Sequence, residues 1–345
     1  MNHFQKMLDD IIDEVIAKEP EQDRGTILKS ITSCLTRIIE EIPPGILESV
    51  KNDAFDGVLE QVRVIQTQFV EKNREKWKYA FDHIETLIEI CSEAGSNVNR
   101  RSRPSAAVSQ DLLFDTLTKL HAKSCLLARE IYCLLVNGFP DGAHARWRAL
   151  HELVATSIFL KRSDSKTVEK FRHHKVVDAY KGARQHSSLK GRLQATPPSE
   201  HQISMLQEEY EELIRRYGKN FKNPYGWAEE FLNITNRRAT FADIEKAVGL
   251  DHWRPYYKLA SQNIHATAQT ISFSLAVVPS NEDILLTGSS DSGLIDPAHS
   301  MSISLTQVTA NLLSYSPNLD DAVYLKVIES LCEDIGEVLK EYLNK

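Results

Sequence analysis

Apolar residues in this chain recur at three- and four-residue steps through most of its length, while the longest strand-like alternation is the five-residue run 283–287. A period near 3.6 buries one stripe of a helix, whereas a half-buried strand needs strict alternation. The chain is therefore expected to be all-α. Phe4, Met7, Leu8, Ile11, Ile12, Val15 and Ile16 stripe a first helix, with Asp9, Asp10, Asp13 and Glu14 opposite. A second, striped by Ile27, Leu28, Ile31, Leu35, Ile38 and Ile39, is expected to stop at Ile42-Pro-Pro-Gly45, where backbone donors are missing. The period then continues to about Ile90, with Asp53, Phe55, Asp56 and Gly57 as an interruption.

The stretch 94–105 is small, polar and basic and contains Pro104, which disfavours helix at the residue before it. It divides the sequence into an N-terminal helical bundle (1–95), a linker (96–107) and a helical core domain (108–345). Beyond it, Leu112 to Leu134 mark a long helix closing at Asn137-Gly138, and Pro140 opens the next near its first turn. That helix is expected to end near Arg162, with Ser163 or Ser165 capping its successor through Tyr180. After Pro197-Pro198 a helix runs to about Tyr217, and 220–238 reads as a long loop. Helices follow at Phe241–Val248 and at about 253–276. The segment 279–297, rich in Ser, Asp and Gly, reads as a second loop suited to a lid, and two helices close the chain. The expected architecture is a multi-helix bundle with an N-terminal helical subdomain.

Bulk properties narrow the function classes. A net charge of −7 over 345 residues argues against a wholly cationic surface, so any polyanion must be met locally. Cys34, Cys91, Cys125, Cys133 and Cys332 are odd in number, dispersed and never in a Cys-x-x-Cys pair, which suits a reducing compartment better than a disulfide framework or a zinc knuckle. The first ten residues lack the basic and apolar regions of a secretory leader. No stretch approaches the roughly 18 consecutive apolar residues of a membrane span. A soluble, cytoplasmic protein is expected. No glycine-rich phosphate loop, Gly-x-Ser-x-Gly elbow or dinucleotide fingerprint occurs, so no cofactor is assigned.

Chemistry concentrates in two segments. At helical spacing, His144, Arg148, His151 and Glu152 fall along one side of the helix opened by Pro140, bordering the apolar side made by Trp147, Leu150, Val154 and Ile158. Arg148 and Glu152, four residues apart, can pair and leave guanidinium donors for a phosphate or carboxylate, or can serve as a structural brace between helices. A second segment places Ser261 and His265 one turn apart. The candidate catalytic residues are Arg148, Glu152, His265 and His151. His265 would act as a base, Arg148 would meet phosphorane charge, Glu152 would orient them, and Ser261 would add a hydrogen bond. His151-Glu152 begins like a zinc-protease motif, but Ala155 stands where the second imidazole belongs. A metal would have to borrow His265 and His174, and none is assigned.

Between Lys161 and Arg192 ten Lys or Arg face three acids. This segment is a candidate RNA-binding surface through Arg172, His174, Lys175 and Arg184, with Tyr180 able to stack on a base, or it is a solvated helix face. Arg146 and His151 match the Arg-x4-His spacing of helical HEPN ribonucleases, although residues five apart on a straight helix point about 140° away from each other.

The arrangement Ala145-Arg-Trp-Arg-Ala-Leu-His-Glu152, then Phe171-Arg-His-His-Lys with Tyr180, then Trp253-x-x-Tyr256-Tyr-x-x-x-Ser261-x-x-x-His265, resembles an uncharacterised bacterial domain-of-unknown-function family, five-six-seven-seven, over roughly 111–274. The resemblance implies a helical cytoplasmic protein and singles out Arg148 with Glu152 and Ser261 with His265, without supplying a reaction. Two functions are compatible with these residues. One is a HEPN-like RNA-processing or toxin-type effector, such as antiviral defence would use. The other is a non-catalytic helical interaction protein whose N-terminal helices dock a partner or form a homodimer.

Overall fold

The computed structural model describes residues 3–18, 24–270, 273–277 and 285–343. Among these every regular element is helical, and the chain divides into two compact units, 1–68 and 69–345. The all-α expectation therefore holds. The beginning of the expected 279–297 loop, and with it part of the 283–287 alternation, lies outside the described residues.

The first unit holds α1 (His3–Lys18), α2 (Arg24–Asp53) and the start of α3 (Leu59–Lys76). Contrary to the expected stop, α2 runs through Pro43 and Pro44. Two missing N–H donors weaken the ladder, but a nucleated helix extends cheaply into the flanking residues. The break comes instead at Ala54–Val58, a π-helical segment kinked where Gly57 leaves helical geometry, at the interruption read from sequence.

The second unit is built on α4 (Lys78–Val108), α5 (Leu112–Val136), α6 (Pro140–Arg162), α11 (Ile295–Leu313) and α12 (Leu319–Leu343). Helix α6 packs against α5 and α11 and is further covered by α9 (Phe241–Val248) and α10 (Arg254–Gln262). Helix α7 (Ser165–Ser188) lies on α5 and carries α8 (Glu200–Tyr217). Trp147, Leu150, Val154 and Leu160 of α6 are fully buried, which makes this helix the axis of the core.

The α5–α6 hairpin closes as its residues dictate. Gly138 adopts a left-handed φ of 78°, and the Phe139 N–H returns to the Leu134 carbonyl at 2.9 Å, while Pro140 occupies the first turn of α6. The amide of Asn73 on α3 donates to the carbonyls of Leu135 and Val136, satisfying groups a helix end leaves without partners. Neither Ser163 nor Ser165 caps α7; the side chain of Asp164 accepts from the Thr167 N–H.

The stretch read as a linker, 96–107, is helical and forms the last turns of α4. The small residue just before it serves close packing: a Cβ on Gly95 would lie 2.3 Å from the buried His121 ring of α5. Its arginines hold neighbouring helices, Arg101 to Asp321 of α12 and Arg103 to Asp115 and Thr118 of α5. Pro104 stands only four residues before the end of α4, so its missing donor perturbs one turn.

The helix expected over 253–276 ends earlier. Helix α10 stops at Gln262, where the Thr270 hydroxyl bonds the carbonyls of Gln262 and His265 in place of continuing helical bonds. The following chain is tied back to the start of α6, with Asp141 accepting from the Ser274 hydroxyl and the Leu275 N–H.

Candidate functional site

Three of the expected catalytic side chains meet. Arg148 and Glu152 project from successive turns of α6, with Arg148 Nε 3.3 Å from Glu152 Oε1. The Arg148 Nη1 is 3.4 Å from His265 Nε2, which is delivered by the turn after α10 across 117 positions of sequence. An arginine has donors only, so in this contact the imidazole Nε2 is the acceptor. His265 is exposed and Arg148 and Glu152 are half-buried, so the cluster reaches solvent.

A fourth residue, not singled out from sequence, completes the cluster. Tyr257 of α10 donates from its hydroxyl to Glu152, and its ring lies under the Arg148 guanidinium at 4.8 Å. Burial and the adjacent Glu152 carboxylate raise its pKa, so the phenol is held as a donor. Glu152 thereby takes bonds from both neighbours and fixes Arg148, leaving part of the guanidinium edge toward solvent. Helical spacing hinted at Tyr257, one turn before Ser261 on the side that carries His265. Ser261 itself bonds the Tyr257 carbonyl at 2.7 Å within its own helix.

His151 does not join this group. It is 1% exposed and its Nε2 is 3.0 Å from Oε1 of Glu245 on α9, whose other oxygen accepts from Arg254 at 2.6 Å. The polar row of α6 straddles the core boundary, and α9 covers the side bearing His151. Glu245 was visible in sequence as an acid on the apolar stripe of Phe241, Ile244 and Val248, the usual sign of a buried partner. His144 also belongs to the core, stacked on Trp147, with neither ring nitrogen hydrogen-bonded among the described residues. Burial lowers its pKa, and the imidazole is neutral. The Arg-x4-His pair diverges: Arg146 reaches Glu130 on α5 while His151 faces α9.

The basic segment is largely spent inside the fold. Lys166 and Lys170 both bind Glu230, and Lys161, Arg162 and Lys181 donate to backbone carbonyls. His174 is buried on the Asn223 carbonyl, and Tyr180 is stacked on Tyr210. These contacts account for most of the positive run as structural bonding. Lys175, Arg184, Lys190 and Arg192 remain exposed without an acidic partner among the described residues.

Arg172 binds Asp115, which Arg103 and Lys119 also bind. Burial alone would raise the Asp115 carboxyl, but the three cations outweigh it and hold it well below the usual carboxylate range. A depressed folded-state pKa contributes stability that is complete above the unfolded value, about 4, and is lost as pH falls through the folded one. Asp115→Asn is therefore expected to lower the melting temperature at neutral pH, and the difference from wild type should shrink steadily in acid. A difference that stays constant from neutral pH to about pH 3 would show the carboxylate's charge to be irrelevant.

Among the described residues no group of three or more His, Cys, Asp or Glu is placed to hold a metal ion, and no helix is long and apolar enough to cross a membrane. No curated protein and no solved structure matches the chain. Residues 114–283 match a family model described as a family of unknown function, DUF5677. The matched span runs from the first turn of α5 past α10 and takes in Arg148, Glu152, Tyr257 and His265. Over this segment, which the resemblance over 111–274 anticipated, the chain is similar to the family of unknown function DUF5677.

Proposed function

We propose that this protein is an RNA-processing enzyme of the toxin or effector type, acting through Arg148 and His265. The observation that carries the reading is the approach of an exposed imidazole to an arginine whose orientation is set by Glu152 and Tyr257. A phosphodiester bound at the free edge of Arg148 would take over the donor now directed at His265, releasing the Nε2 lone pair beside the bound group. His265 then removes the proton of the ribose 2′-hydroxyl. The 2′-oxygen attacks phosphorus, the bond to the 5′-oxygen breaks, and solvent protonates the leaving oxygen. Arg148 stabilises the charge that builds on the phosphoryl oxygens. The exposed Lys175, Arg184, Lys190 and Arg192 would add salt-sensitive attraction for the strand.

The test is incubation of purified protein with single-stranded RNA and analysis for 2′,3′-cyclic phosphate ends. His265→Ala is expected to lower cleavage by about 100-fold or more, with Arg148→Lys also impaired because a lysine cannot hold the planar fork. Unchanged cleavage in a folded His265→Ala protein would refute the assignment. A second reading is favoured by one observation, that Glu152 accepts from both α6 and α10: the cluster would then be a brace in a non-catalytic interaction protein. No cleavage by the parent, together with a lowered melting temperature in Glu152→Ala, would support that reading.

A further inference from the structure

Residues of α5, α6, α7 and the turn at 224–227 line a cleft of about 670 Å³. That volume lies within the range of sites for small organic ligands. Its lining combines two chemistries: aromatic and apolar side chains in Phe171, Tyr225, Trp227 and Leu153, and cations in Lys119, Lys123, Arg172 and Lys175. Asp115 neutralises Lys119 and Arg172, so Lys123 and Lys175 are the cations without an acidic partner among the described residues. Asp178, also in the lining, is turned toward His174 at 3.5 Å. The hydroxyls of Tyr225 and Thr156 make no hydrogen bond to the described residues.

The aromatic part of the lining is built rather than incidental. Gly226 lets the turn pass so close to the preceding segment that a Cβ there would lie 2.1 Å from the Asn220 carbonyl oxygen, and Tyr225 and Trp227 flank that contact. The edges of Phe159 and Phe171 pin the Trp227 ring, whereas half-buried Tyr225 has ring neighbours only at 6.4 and 6.5 Å. Tyr225 is thus a lining ring that no other aromatic side chain stacks upon among the described residues.

We propose that this cleft binds a nucleoside phosphate, with the base against Tyr225 and Phe171, the phosphate at Lys123 and Lys175, and Thr156 available to the sugar or base. An inorganic anion would leave the aromatic lining unused, and a neutral apolar ligand would leave the lysines unmatched. A flat π-system joined to a phosphoryl group uses both, because every base offers a stacking face and every phosphate needs cationic donors. The same chemistry is offered by a free nucleotide and by one residue of an RNA strand. The proposal stands on the cleft alone and holds whether or not the Arg148 cluster cleaves RNA.

The full-length protein is titrated calorimetrically with AMP, with ATP, with inorganic phosphate and with a short 2′-O-methyl oligoribonucleotide that cannot undergo 2′-hydroxyl attack. Saturable binding of a nucleotide or of the oligonucleotide, stronger than that of phosphate, is expected. It should weaken by about tenfold or more in Lys123→Glu/Lys175→Glu, whose exposed positions leave the melting temperature unchanged. Binding of AMP or ATP identifies a free nucleotide as the source, and binding of the oligonucleotide alone identifies a strand. Absence of saturable binding by all three nucleotide probes at millimolar concentration overturns the proposal. So does phosphate binding equal to that of AMP, or affinity unaffected by the charge reversal.

Discussion

Glu245→Ala is expected to destabilise the protein by about 3–5 kcal/mol, the range for breaking a buried ion pair from one side. Glu245 is fully buried and its two oxygens are divided between His151 of α6 and Arg254 of α10. The carboxylate therefore joins three helices at one point. Its removal leaves the guanidinium of Arg254 over the rings of Phe241 and Tyr257 without a counter-charge, and leaves the ring nitrogen of the 1%-exposed His151 without a partner. Glu245→Gln keeps an acceptor and should lose clearly less. Urea denaturation measures both; a loss below about 1 kcal/mol in the alanine variant would mean that the joint is not a stabilising element.

Trp147→Ala is expected to cost a similar amount, about 3–5 kcal/mol, through lost apolar burial and the cavity it leaves. Trp147 is fully buried at the middle of α6, with His144, His151 and Trp253 around its ring at 5.4, 5.4 and 5.9 Å. Its indole N–H donates to Ser304 of α11 at 3.0 Å, so one side chain both fills the core and ties its two central helices. Trp147→Phe retains most of the volume and strips the hydrogen bond, leaving the buried Ser304 hydroxyl without that donor, and should fall between wild type and alanine. Equal stability of the phenylalanine and wild-type proteins in the same urea titration would show that packing alone matters at this position.

What could be read directly from the residues was local. The helical period located α6, α8, α9 and the π-segment interruption, and Asn137-Gly138 followed by Pro140 marked the α5–α6 turn because those residue types suit its backbone. Misreadings arose where one residue type serves two purposes. The Ala94-Gly95 stretch resembles a linker by composition, yet its small side chains admit the ring of His121. The hydroxyls near Thr267 and Thr270 were compatible with helix until their bonds to the preceding carbonyls ended α10. On α6, spacing put His144, Arg148, His151 and Glu152 along one side, but spacing alone does not say where the core surface cuts across that side.

The helical class and the pairing of Arg148 with Glu152 follow from the residues alone, because the 3.6-residue period and contacts between successive turns are properties of a single helix. The residues also named His265 as the imidazole to set beside them. It took the packing of distant helices to bring His265 to Arg148, to withdraw His151 to Glu245 and to set Tyr257 beside Glu152. Those outcomes depend on which helices cover α6, and that arrangement is set by the packing of side chains distant in the chain.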